Sequence, residues 1–186
     1  MRHDSVPDVL PVLRAGDFAL RAIEPEDASA WFRYLCDPEV TELTSYDITS
    51  LGQAETMIAH IAARFREKAS MRWAIVRGGA GELIGTCGYL WFDGHRAEIG
   101  YDLAKEHWGR GVMPLAVSAM LDWGFERLGL HRIEATVMEG NQRSARVLDK
   151  LGFLREGTMR DYKLVRGEYR DFWLFARVEA GLTLRR

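Results

Sequence analysis

From Glu106 to Pro114 the chain reads EHWGRGVMP, two glycines bracketing an arginine just ahead of a long apolar-periodic segment. Such a stretch is suited to holding an anion. The first turn of a helix presents main-chain N–H groups with no intrahelical acceptor, and the aligned peptide dipoles add partial positive charge. Gly109 and Gly111 carry no Cβ to keep an anion off the backbone, and Arg110 adds a guanidinium. Pro114 suits a first helical turn, where its missing N–H costs nothing. A diphosphate fits this combination. The same spacing is equally that of a tight turn into a helix with a surface arginine, because glycine loops are common. The stretch is neither G-x-G-x-x-G with an acidic ribose ligand nor G-x-x-x-x-G-K-[ST], which disfavours dinucleotide and nucleoside-triphosphate sites.

Other chemistries are poorly served. The five histidines never approach metal-ligand spacing, so no metal is expected. Cys36 and Cys87 stand far apart without a C-x-x-C pair, which reads as a reducing compartment. The formal net charge of −2, with acids and bases interspersed, argues against a nucleic-acid partner. There is no apolar leader and no run near ~18 apolar residues, so no membrane partner is expected and the cytoplasm is the expected location.

The elements that position the loop follow from periodicity. At 186 residues one domain, 1–186, is expected, without linker or repeat. After an irregular start, 18–23 reads as a strand and 25–35 as a short helix ending before Asp37-Pro38. Ser50 and Gln53 form a capping box opening a helix whose apolar stripe is Leu51, Ala54, Ile58, Ile61 and Phe65. Two β-rich runs joined by GGAG read as a hairpin, and 97–103 is a third strand leading into the glycine loop. A helix over 114–128 ends at Gly129. A strand at 132–138 leads to a helix with Asn141 as N-cap and Gly152 just past its end. Two strands, near 154–162 and 169–178, close the chain. The fold class is therefore α/β (α+β), layered around a mostly antiparallel mixed sheet of six to seven strands with about four helices.

AEIGYDLAKEHWGRGVMPLAVSAMLDWGF (97–125) followed by HRIEATVMEGNQRSARVLDKLGF (131–153) resembles the GNAT superfamily of acetyl-CoA-dependent N-acetyltransferases. Within it the likeness is to ribosomal-protein alanine N-terminal acetyltransferases, through Leu20, Arg21 and Asp27 and through GTMRDYKLVRGEYRD at 157–171. The resemblance spans about 17–178. It implies transfer of an acetyl group from acetyl-CoA, the cosubstrate, to a primary amine through a ternary complex, with a protein N-terminal α-amine as the leading acceptor. A small-molecule amine and a non-catalytic acyl-CoA-binding module are the alternatives, and a homodimer is allowed.

The resemblance also implies site residues. The diphosphate would lie on Gly109, Arg110, Gly111, Val112 and Met113, although Trp108 replaces the usual Gln or Arg and Met113 the usual small residue. Tyr101, Asp102 and Leu103 would pair their main chain with the pantetheine arm, in a slot made where strands 4 and 5 splay, and one N–H there would hold the thioester carbonyl. Asn141 would contact the same arm. Ser144 would protonate the departing thiolate, since Leu148 occupies the place where many relatives carry a tyrosine. An amine near pKa ~8 or above needs a proton acceptor at neutral pH. Lys163 and Thr136 stand where two branches carry a glutamate base, which leaves Glu98 and Glu134, on the strands beside the splay, as candidates. Trp31, Phe32, Tyr34, Trp91 and Phe92 lie on elements that line the acceptor side, or are core.

Overall fold

Eight strands form one sheet in the order β1-β2-β3-β4-β5-β6-β8-β7, in a computed structural model that describes residues 3–79 and 81–179. The strands are β1 (Leu13–Ala15), β2 (Phe18–Ala22), β3 (Met71–Arg77), β4 (Leu83–Asp93), β5 (Arg96–Leu103), β6 (Arg132–Met138), β7 (Leu154–Val165) and β8 (Glu168–Val178). Every neighbouring pair is antiparallel except β5 with β6. The helices are α1 (Ala28–Leu35), α2 (Pro38–Thr41), α3 (Leu51–Arg66), α4 (Val112–Trp123) and α5 (Gln142–Lys150). Eight strands and five helices exceed the six to seven and about four expected. The additions are β1, three residues paired to β2, and α2, one turn begun at Asp37, where the sequence suggested only a helix end. Asp37 is an N-cap: its carboxylate accepts from the Glu39 amide.

Local chemistry sets the other boundaries as expected. The Ser50–Gln53 capping box opens α3, whose Ala54 and Ile58 are buried while Leu51 is 38% exposed. Asn141 caps α5, and Gly152 follows it with φ +78°. Ala80, in the GGAG turn, lies outside the described residues. α4 runs on through one π-helical turn, Gly124–Leu128, before Gly129. Tyr89 reaches into that junction, donating to the Met120 carbonyl at 2.7 Å, and a Cβ at residue 124 would lie 1.9 Å from its hydroxyl. Only glycine fits there.

The two sheet faces carry separate cores. α1 and α3 cover β3 and β4 with Trp31, Leu35, Ile58 and Val76, while α4 and α5 cover the other face with Trp73, Tyr89, Met120 and Leu148. Among the described residues, no helix is long and apolar enough to cross a membrane.

Candidate active site

The single parallel pairing decides where a ligand can go. β5 and β6 are in register at Arg96↔Arg132, Ala97↔Ile133 and Glu98↔Glu134, and the ladder stops there. β5 continues to Leu103 paired only to β4, so from Ile99 onward its other edge has no strand partner. A register shift in β4 between Tyr89 and Trp91 lies opposite the end of that pairing. A bulge bends a strand and adds twist, which separates β5 from β6 at this point. The expected splay therefore exists, between the fifth and sixth strands of this chain, because β1 adds one to the count.

The gap opens into a cavity of about 400 Å³ between β5, the start of α4 and α5. Gly109 and Gly111 face it with φ of +72° and +77°. Gly111 is the N-cap of α4 and offers no side-chain cap, so the first-turn amides of Val112 and Met113 have no acceptor from the helix itself. A Cβ at either glycine would meet nothing within 4 Å, so their conformation, not protein packing, demands glycine. Three cations from α5 rim the cavity, Arg143, Arg146 and Lys150. The Arg143 guanidinium stacks 3.9 Å from the Trp108 ring centroid, and Trp108 Nε1 donates to the Leu103 carbonyl at 2.8 Å. Arg110 is exposed and outside the lining, so the loop's own arginine is not among the rim cations. The buried Met113 side chain packs in the α4-side core and leaves the loop uncrowded.

Tyr101, Asn141 and Ser144 meet on this cavity. The Tyr101 hydroxyl lies 2.8 Å from Ser144 Oγ and 3.1 Å from the Ser144 carbonyl. Burial pushes the Tyr101 phenol well above its usual range, so it stays protonated. Asn141 Oδ1 accepts from the Ser144 amide at 3.1 Å, and its Nδ2 donates to the Leu43 carbonyl, also at 3.1 Å.

That carbonyl belongs to a strap, residues 38–46, which closes one side of the cavity with Val40, Leu43 and Thr44. Arg143 donates to Glu39 O, and Lys105 pairs with the Glu39 carboxylate. Arg166, in the two-residue turn between β7 and β8, donates to the carbonyls of Glu42, Thr44 and Tyr46. Arg166 and Gly167 both have positive φ, as a type I′ hairpin requires. Inside, Tyr46 donates to Asp102 at 2.8 Å. The buried Asp102 carboxylate also accepts from Trp31, Tyr34, Arg72 and Thr86, so its side chain holds β5 to α1, β3, β4 and the strap.

Glu98 and Glu134 lie outside the cavity lining, on the sheet face turned away from α4. Arg132 takes Glu134 at 2.6 Å and Arg96 approaches it at 3.5 Å, which neutralises it. Glu98 is 6% exposed and has neutral donors instead: Trp91 Nε1 at 2.5 Å and Thr136 Oγ1 at 2.7 Å. It therefore sits at the point where β5 and β6 part.

A family model described as an acetyltransferase (GNAT) domain matches residues 17–154. The chain belongs to that family. As a GNAT N-acetyltransferase it has relatives named for the same activity. The uncharacterized N-acetyltransferase p20 of Bacillus licheniformis is 41% identical over 160 residues, 84% of this chain and 90% of that protein. The ribosomal protein uS5-alanine N-acetyltransferase of Escherichia coli K12 is 37% identical over 82 residues, 44% of this chain and 42% of that one. Mycobacterium smegmatis RimJ in complex with CoA-disulfide superposes with a TM-score of 0.81 at 30% identity, covering 97% of this chain and 92% of that one.

In this GNAT domain the structure brings Tyr101, Asp102, Leu103, Gly109, Gly111, Val112, Met113, Asn141 and Ser144 onto one cavity. It sets Arg110, Glu98 and Glu134 off it. Of the aromatics considered for the acceptor side, Trp31, Tyr34 and Phe92 are buried in the core, and Phe32 and Trp91 are partly exposed. Sequence reasoning missed the rim cations of α5, whose i, i+3, i+7 spacing (Arg143, Arg146, Lys150) is legible once that helix is assigned. It also missed Arg166, for which no local signal exists.

Proposed function

We propose that this protein moves an acetyl group from acetyl-CoA to a primary amine by direct attack in a ternary complex, and that the amine is a protein N-terminus of the ribosomal-protein kind. The observation that carries this reading is the uncapped N-terminus of α4, with two left-handed glycines, opening into a cation-rimmed cavity beside the free edge of β5. These donors fit coenzyme A: backbone amides for a diphosphate, an unpaired strand edge for amide groups of an extended arm, and arginines for further phosphate. The complex of RimJ with CoA and the relationship to a ribosomal-protein alanine acetyltransferase support the choice.

Acetyl-CoA would supply the activated acyl carbon and a thiolate leaving group. The chain would supply position and protons. Main-chain N–H groups of 109–113 hold the phosphates, and Tyr101–Leu103 align the arm along β5. Glu98, at the mouth of the splay, accepts the proton of the attacking amine directly or through water. Ser144 Oγ, held by the Tyr101 phenol, donates a proton to the departing sulfur and regains one from water as CoA leaves, while Glu98 gives up its proton to solvent. No covalent enzyme intermediate is required, in keeping with the thiol of Cys87, buried and pushed up by that burial.

A thiol-release assay with acetyl-CoA against N-terminal peptides and small amines tests the reading. Turnover on peptide α-amines is expected. Turnover confined to small amines would change the acceptor class, and CoA binding without release on any amine would reduce the protein to an acyl-CoA-binding module.

A further inference from the structure

Two charges on the acceptor face lack ionic partners. Among the described residues, no cation approaches Glu98 within 4.0 Å and no carboxylate approaches Lys163 within 4.0 Å, whereas their neighbours Arg96, Arg132, Glu134 and Glu156 are mutually paired. The two are joined by one hydroxyl. Thr136 Oγ1 donates to Glu98 Oε1 at 2.7 Å and receives Lys163 Nζ at 3.4 Å. Lys163 is half-buried, its ammonium 5.1 Å from the Tyr162 ring and 5.2 Å from the Phe172 ring. Aromatic faces tolerate a cation but leave its hydrogen-bonding capacity unspent. Tyr162 borders the same spot: its phenol is pushed up by burial and then by the charges of Glu98 and Glu134.

An exposed lysine without a partner means little. A half-buried ammonium carries a desolvation cost, and here it stands beside the carboxylate that meets the incoming amine. A carboxylate and an ammonium on either side of one hydroxyl complement a ligand carrying the opposite pair. We propose that Lys163 is a specificity-determining residue that selects acceptors bearing a carboxylate close to the reacting nitrogen: the nitrogen goes to Glu98, the carboxylate to Lys163. The acceptor class is an N-terminal peptide with an acidic side chain at its first or second residue. A basic residue there would meet Lys163 as a like charge. This inference rests on the amine-acetyltransferase reading above and narrows it.

The experiment compares kcat/KM by thiol release for C-terminally amidated peptides that begin Ala-Asp, Ala-Asn, Ala-Lys, Asp-Ala and Asn-Ala, with the wild type and with Lys163→Arg, Lys163→Met and Lys163→Glu. The wild type is expected to favour Asp over Asn in at least one of the two positions by about tenfold, the scale of one charge-assisted hydrogen bond, and to disfavour Lys. Lys163→Arg should keep the ratio, Lys163→Met should bring it near one, and Lys163→Glu should invert it towards Ala-Lys. Because each ratio is taken within one variant, a smaller folded fraction cancels. A wild type that turns over all five peptides equally, or a preference for Asp that survives Lys163→Met, would overturn the assignment while leaving the acetyltransferase reading intact. No turnover on any peptide, with turnover on small amines, would sink the assignment together with the peptide acceptor while leaving acetyl transfer intact.

Discussion

Replacing Gly111 by alanine and by aspartate separates the strain of the loop from its occupancy. Residue 111 has φ +77°, where an L-residue other than glycine costs about 1–2 kcal/mol. A Cβ there meets no atom within 4 Å, so no clash adds to the cost. For a chain of 186 residues, 1 kcal/mol lowers Tm by roughly 2–4 °C. Gly111→Ala should therefore melt a few degrees below wild type. Aspartate tolerates the left-handed region better than alanine, so Gly111→Asp should fold at least as well. Its carboxylate would stand at the mouth of the α4 amides. One such charge about 5 Å from one phosphoryl charge, at an effective dielectric of ~20, costs about 3 kcal/mol, a loss of more than a hundredfold in affinity. Calorimetric titration with CoA beside a thermal melt reads both numbers. An aspartate variant that is folded and binds CoA within about threefold of wild type would refute the placement of the diphosphate.

Ser144→Ala and Tyr101→Phe should each lower kcat, by about tenfold to a hundredfold, with CoA affinity retained; because they form one proton path, the double variant should be little worse than Ser144→Ala, which a kinetic double-mutant cycle checks. Asp102→Asn should lower stability by about 3–5 kcal/mol, since it removes the charge facing the buried Arg72 guanidinium, and chemical denaturation would measure it. Alkaline pH should unfold the protein. Burial raises the phenols of Tyr34, Tyr46, Tyr89 and Tyr101 in the folded state, so their contribution is fully present below about pH 10, the unfolded value, and lost as pH rises above it. Denaturation midpoints measured from pH 8 to 11 should fall only at the upper end.

What the sequence revealed about the fold was local. Ser50 with Gln53, and Asn141 with Gly152, act within one or two helical turns, so their roles could be read from spacing and were found in place. The glycine loop was equally legible as backbone chemistry. Pairings across the fold were hidden. Nothing near Asp102 marks it as the acceptor of five donors from residues 31 to 86, and nothing near Glu134 names Arg96, on the neighbouring strand, as its second partner. The parity of Glu98 and Glu134 put both beside the splay, but that Arg96, two residues before Glu98, turns instead to Glu134 is decided only in the folded sheet. β1 and α2 are short elements, below the length at which periodicity carries a signal.

The seam of three residue pairs between β5 and β6 makes the sheet two leaves, five strands on one side and three on the other. A molecule lying along the bare edge of β5 would supply rungs that the ladder omits and so bridge the two leaves. Glu98 stands on the first leaf and Thr136 and Lys163 on the second. The distance from Glu98 to Thr136 and Lys163 therefore depends on how the two leaves meet at that short seam.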